Sequence, residues 1–277
     1  MARIAVAATA PFGADVLERL AAHHEVTTVL TRPDAKQGRG RRVSAPPAKL
    51  AAGRLGIPVL QPERPTVDLE LGAQTVVVCA YGLLIPEELL AGRLWLNVHP
   101  SLLPRWRGAA PVERAILAGD VETGVTIHET VKELDAGPIA AQRAFAIRDA
   151  DAGEIFATAA EVAVLLLDDV LAAAERPVSD KLSQALSFVP QPADGVTYAE
   201  KLGPEDRVLD LERPAAELVR RVRALSPHIG ARAVLHGRAV TVWRATLDAD
   251  GGFLPLEVQP EGGRRMEYDA WLRGVRG

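Results

Sequence analysis

Short β-branched runs alternate with helical patterns through the first two thirds of the chain, the rhythm of βα units that assemble into a parallel sheet. Residues 4–8 (Ile-Ala-Val-Ala-Ala) predict a first strand. Residues 14–24 predict a helix with Val16, Leu17 and Leu20 on one face, and residues 26–30 a second strand. A short helix is expected over 46–55, after a loop rich in glycine and arginine. Thr75–Cys79 is the most apolar strand pattern of the chain and is expected in the middle of the sheet, where both faces are covered. Further strands are predicted over 94–98, 125–131 and 139–147, and helices over 110–118 and 152–174; the last, rich in alanine and leucine, closes the domain.

From 177 to 204 the pattern gives way to prolines, serines and polar residues, as in a linker with few crossing contacts. Beyond it a helix is predicted over 215–225, strands over 231–235, 239–244 and 253–258, and a terminal helix over 268–272. At 277 residues the chain exceeds a usual single core. The expected division is a domain over 1–182, a linker over 183–201 and a smaller, mostly β, barrel-like domain over 202–277.

With 48% apolar and 25% charged residues the composition is that of a folded globular protein, which excludes a disordered chain. The first residues lack a basic leader and an apolar run of membrane-spanning length, so a cytoplasmic protein without a membrane partner is expected, as a monomer. The one cysteine, Cys79, lies inside the most apolar strand and is expected to be a buried small side chain. The formal charge of −4 is unevenly spread. Lys36, Arg39, Arg41, Arg42, Lys49 and Arg54 fall together between residues 35 and 62 with no acid among them. Between 213 and 244 there are arginines at 213, 220, 221, 223, 232, 238 and 244 against the single acid Glu217. Such clustering suits a polyanionic partner better than the net charge does. The first strand runs into Ala8-Thr-Ala-Pro-Phe-Gly13, without the G-x-G-x-x-G turn that lets a backbone approach a pyrophosphate, which disfavours a nicotinamide dinucleotide.

Chemistry concentrates in 94–111, Leu-Trp-Leu-Asn-Val-His-Pro-Ser-Leu-Leu-Pro-Arg-Trp-Arg-Gly-Ala-Ala-Pro. Asn97 and His99 are two apart at a strand end, so they project from the same face, and in an open parallel sheet such ends border the ligand crevice. Acyl transfer to an amine needs donors for a developing oxyanion and a group that moves a proton. The Asn97 amide is expected as one donor, and His99 as base or second donor. Asp135, in the turn Leu134-Asp-Ala-Gly-Pro138, is the candidate partner that holds His99. The other histidines, His23, His24, His128, His228 and His236, are expected in surface or helix-end roles.

Residues 97–111, followed by Thr123-Gly-Val-Thr126 and Leu134-Asp-Ala-Gly-Pro138, resemble the 10-formyltetrahydrofolate-dependent formyltransferases. The resemblance implies an α/β fold, with a Rossmann-like, mostly parallel sheet and a smaller OB-like β-barrel domain at the carboxy terminus. It implies Asn97, His99 and Asp135 as the catalytic trio. Ser101, Leu102, Leu103 and Pro104 match the family's folate-contacting loop, and Tyr81, Gly82 and Leu83 the loop around the pterin. The formyl donor it implies is 10-formyltetrahydrofolate, with no metal. Residues 31–47 resemble the basic loop of those members that act on methionyl-tRNA, and residues 196–202 and 240–244 resemble parts of their carboxy-terminal domain. Arg39, Arg41, Arg42, Arg220 and Arg221 are thereby implied as contacts to initiator tRNA. A segment that supplies strands in typical members is absent after Gly252, so a shortened barrel is expected. The competing readings are a small amine acceptor such as an amino sugar nucleotide or glycinamide ribonucleotide, hydrolysis of the folate donor, and a non-catalytic RNA-binding module.

Overall fold

A computed structural model describes residues 1–37, 42–174 and 186–276. The chain divides into two compact units. One comprises residues 1–107, 124–144 and 157–197, the other 108–123, 145–156 and 198–277.

The first unit is built on strands β1 (Arg3–Ala8), β2 (Glu25–Leu30), β5 (Val59–Leu60), β6 (Thr75–Cys79) and β7 (Leu94–His99), with β3 (Ala35–Gln37) and β4 (Arg42–Ser44) forming a separate antiparallel hairpin. Its seven-stranded sheet runs Ile139–Ala146, Glu122–Glu129, β7, β6, β1, β2, β5. The pairs from β7 to β5 are all parallel, and Glu122–Glu129 is antiparallel to β7. β6 is the fourth of the seven, as its run of β-branched residues predicts. Val76, Val77 and Cys79 are buried there, and the thiol's burial pushes its ionisation far upward. A core of Ala5, Ala7, Leu30, Val76, Val78 and Trp95 covers one face of these central strands.

Helix α1 (Pro11–Ala21) starts three residues before the predicted boundary, because Pro11 occupies the first helical turn, where its fixed φ and missing N–H cost nothing. Residues 11–13 are thus helix rather than loop. Gly13 is required there: a Cβ on it would sit 2.3 Å from the Cys79 carbonyl oxygen, so only glycine lets α1 lie this close to β6. Helices α2 (Pro47–Leu55) and α3 (Glu87–Leu90) follow. α4 (Pro111–Ala118) belongs to the second unit, and α5 (Ala152–Ala174) runs through both stretches. α5 opens on a reciprocal cap: the Glu154 N–H donates to Asp151 at 3.0 Å and the Asp151 N–H to Glu154 at 2.8 Å. Its buried residues Ala159, Ala160, Ala163, Val164, Leu167, Val170 and Leu171 recur at helical spacing. Among the described residues no helix is long and apolar enough to cross a membrane.

The described part of the stretch after α5 is tied to the first unit: Val189 and Ile139 exchange two backbone hydrogen bonds of 2.7 and 2.9 Å, and the Thr197 hydroxyl accepts from the Trp106 N–H at 2.8 Å. Composition carries no sign of these bonds, because isolated backbone pairs and a single hydroxyl leave no periodic signature.

In the second unit, strands Ala231–Leu235, Arg238–Leu247, Phe253–Pro260 and Met266–Glu267 form a four-stranded antiparallel sheet in that order. The smaller, mostly β domain expected at the carboxy terminus is built on this sheet. Helices α6 (Ala215–Leu225) and α7 (Tyr268–Arg276) supply Leu218, Val222, Leu225 and Trp271 to a core shared with Val240, Val242 and Val258.

Candidate active site

Two polar side chains of β7 meet a third, distant in sequence, at the carboxyl end of that strand. Asn97 and His99 stand on one face of that strand, two residues apart. Across the ladder Asn97 is paired with His128 and His99 with Thr126. The chain then turns through Asp135, which adopts φ 48°, and returns along Ile139–Ala146. Gly137 closes the turn against the preceding strand: a Cβ would lie 1.8 Å from the Glu129 carbonyl oxygen.

Asp135 is shared. One carboxylate oxygen accepts a 3.1 Å hydrogen bond from the Asn97 amide, and the other lies 3.6 Å from His99 Nδ1, an ion-pair distance. The Asn97 amide nitrogen is also 3.0 Å from His128 Nε2. His128 Nδ1 lies 2.8 Å from the Glu129 carbonyl, which can only accept, so the proton sits on Nδ1 and Nε2 presents its lone pair to Asn97. Burial pushes the His128 imidazole down to about 4, outweighing the opposing pull of Asp135, so the ring is neutral at ordinary pH. On its other side His99 Nε2 donates to the Trp106 carbonyl at 2.8 Å. Trp106 holds φ 64°, a left-handed conformation that costs energy for a bulky residue, and the Arg105 guanidinium lies 4.4 Å over its ring.

His128 corrects the sequence reading. Far from a surface or helix-end histidine, it is 1% exposed and bonded to Asn97. The alternation in Val125-Thr-Ile-His128 could have found it, since Thr126 and His128 share one face of a strand. His228 and His236 are exposed, and His23 and His24 share the Asp168 carboxylate just beyond α1.

The loop after β7 is satisfied internally. Ser101 is fully buried and its hydroxyl donates to the Arg105 carbonyl at 2.7 Å. The Thr126 hydroxyl donates to the Ser101 carbonyl at 2.7 Å and accepts from the Leu103 N–H and from Gln142. Leu103 is buried and joined to Pro104 by a cis peptide, while Leu102 packs over Gly124. In the other predicted loop the Tyr81 side chain is in the core, burial pushing its phenol up to about 12, whereas Gly82 is exposed and Leu83 half-buried. These positions therefore offer a ligand mainly backbone and apolar edges.

Of the predicted tRNA contacts, Arg39 and Arg41 lie outside the described residues, and Arg42 opens β4. Arg220 packs against Gly119, and Arg221 donates to the Asp206 carbonyl at 2.8 Å; both are half-buried. Arg232, Arg238 and Arg244 of the same unit are exposed.

Next to the central strand, β7 ends in an amide and an imidazole that share the carboxylate of the turn beyond the neighbouring strand, an arrangement suited to group transfer, and the chain belongs to the formyl transferase family. The formyl transferase domain of that family matches residues 2–167 and its C-terminal domain matches residues 201–253. A methionyl-tRNA formyltransferase of Cereibacter sphaeroides is 39% identical over 301 residues, covering 98% of this chain and 96% of that one. The fold is that of a methionyl-tRNA formyltransferase from Clostridium thermocellum, with a TM-score of 0.64 at 14% identity over 96% of this chain and all of the other. It also matches HypX from Aquifex aeolicus in complex with tetrahydrofolic acid, with a TM-score of 0.68 at 20% identity; 99% of this chain covers 47% of that protein.

Proposed function

We propose that the chain transfers the formyl group of 10-formyltetrahydrofolate to the α-amino group of methionyl-initiator-tRNA, giving the N-formylmethionyl-tRNA with which translation begins. The observation that carries this reading is the cluster itself. Asn97, His99 and Asp135, separated by up to 38 residues, meet at one strand end through contacts of 3.1 and 3.6 Å, in a chain 39% identical to a methionyl-tRNA formyltransferase over nearly its full length.

In this mechanism the neutral amine attacks the formyl carbon. A C–N bond forms to the acceptor, the bond from that carbon to folate N10 breaks, and the proton lost by the amine is delivered to N10. Asn97 and protonated His99 donate to the oxygen of the tetrahedral centre, and Asp135 balances the imidazolium and relays the proton. Both donors are engaged within the chain, so each exchanges a partner to do this. Asn97 gives up the neutral His128 acceptor and keeps its charge-assisted bond to Asp135; His99 gives up the Trp106 carbonyl. The amine is itself the nucleophile, so the reaction requires neither an activated side chain nor a metal.

The donor would rest against the backbone of Ser101, Leu102, Leu103 and Pro104 and of Tyr81, Gly82 and Leu83. The basic residues Arg39, Arg41 and Arg42, with the arginine-rich face that includes Arg220 and Arg221, would meet tRNA phosphates. In this reading residues 1–182 form the catalytic domain, 183–201 join it to a tRNA-binding domain over 202–277, and the protein works as a cytoplasmic monomer. The test is incubation with labelled 10-formyltetrahydrofolate and, separately, methionyl-tRNA, free methionine and an amino sugar nucleotide. Label on methionyl-tRNA alone supports the reading, and label on another acceptor, or folate turnover without any acceptor, replaces it.

A further inference from the structure

Gln191 lies between the two stretches matched by the family, 2–167 and 201–253, yet its side chain reaches the turn that carries Asp135. Its amide nitrogen donates two hydrogen bonds of 2.8 Å, one to the carbonyl of Asp135 and one to that of Gly137. Its amide oxygen accepts from Arg107, at 3.1 Å from Nε and 2.6 Å from Nη2. Carbonyls only accept and a guanidinium only donates, so this orientation of the amide is the one the partners permit. Two residues earlier the backbone is pinned by the Val189–Ile139 pair, which fixes where the side chain starts.

The turn needs such a hold. Asp135 is a non-glycine residue at φ 48°, a conformation that persists where surrounding contacts over-determine it. Arg107 directly follows Trp106, whose carbonyl receives His99 Nε2. One amide thus ties the segment that holds the carboxylate to the segment that holds the imidazole. We propose that Gln191 is a positioning residue for the formyl transfer, setting the placement of Asp135 relative to Asn97 and His99 without touching either substrate.

This inference rests on the function proposed above, and the experiment separates the two. Gln191→Leu removes both donors and the acceptor, while Gln191→Glu keeps an acceptor for Arg107 and loses the donors to the turn. Each full-length variant is assayed with 10-formyltetrahydrofolate and methionyl-tRNA beside the wild type. The expected result is a kcat lowered by about 10- to 100-fold in both, the scale of misplacing a reacting group by about 1 Å. KM for either substrate should stay within about threefold, and the pH profile of kcat should move, because the separation of Asp135 from His99 has changed. A kcat within threefold of wild type with an unmoved profile overturns the proposal. So does a loss that tracks a lowered Tm and is recovered by assaying at lower temperature. A wild-type chain that does not formylate methionyl-tRNA sinks the function first, and this inference with it.

Discussion

The chemistry of the site is decided by which atoms can only accept. The Asp135 carboxylate and the lone pair of His128 fix the Asn97 amide with its nitrogen toward both, so Asn97 is held ready and reaches an oxyanion by exchanging one bond. Removal of one such donor typically costs about 2.7–4 kcal/mol of transition-state stabilisation. Asn97→Ala should therefore lower kcat by about 10² to 10³ while leaving tRNA affinity unchanged, as read by steady-state kinetics and a binding titration; an undiminished kcat removes the role. His128 sets a pH dependence of stability. The unfolded chain takes up this proton near 6.5 and the folded chain only near 4, so stability falls as pH drops through that window and is unaffected by this group above it. Urea titrations between about pH 4 and 7 should show that slope in the wild type and a shallower one in His128→Gln, which does not titrate.

At the scale of elements, most of the fold was legible because burial writes period into sequence. The central place of β6 follows from its run of β-branched residues, and α5 from its buried positions at helical spacing. Asn97 and His99 could be placed on one face from their spacing alone. Asp135 could be named as a candidate partner from its place in a turn after a strand, and the family resemblance implied it as one of a trio, but a turn over 130–138 has no periodicity that says where it folds back. The contributions of Gln191 and of the Trp106 carbonyl were not legible at all. One is a lone amide in a Pro/Gly-rich stretch, and the other is main chain, which every residue possesses. The place of His128 is only partly legible, because a single histidine in an apolar strand carries no sign of the side chain it meets until the strand across from it is known.

For the whole molecule, the uneven charge outweighs the sum. A formal charge of −4 predicts repulsion from a polyanion, whereas the sequence over 35–62 holds six cations and no acid and Arg232, Arg238 and Arg244 are exposed; of the six, Lys49 is paired with Asp34 and Arg54 with Glu18. If tRNA engages these groups, the affinity should fall by about 0.7 to 0.9 log units per neutralised phosphate for each log unit of added salt, as counterions released on binding are pushed back. Filter binding or fluorescence titration from about 50 to 200 mM salt measures the slope, and a flat response would detach the nucleic acid from this surface.

The chain's single sulfhydryl occupies the innermost strand of the larger sheet, with β1 on one side and β7 on the other. A maleimide dye can reach it only when the packing around the end of β6 opens, so its uptake in native buffer times that opening, with a probe installed by the natural sequence. Ligands that bind only the closed form should slow the clock in proportion to how tightly they are held.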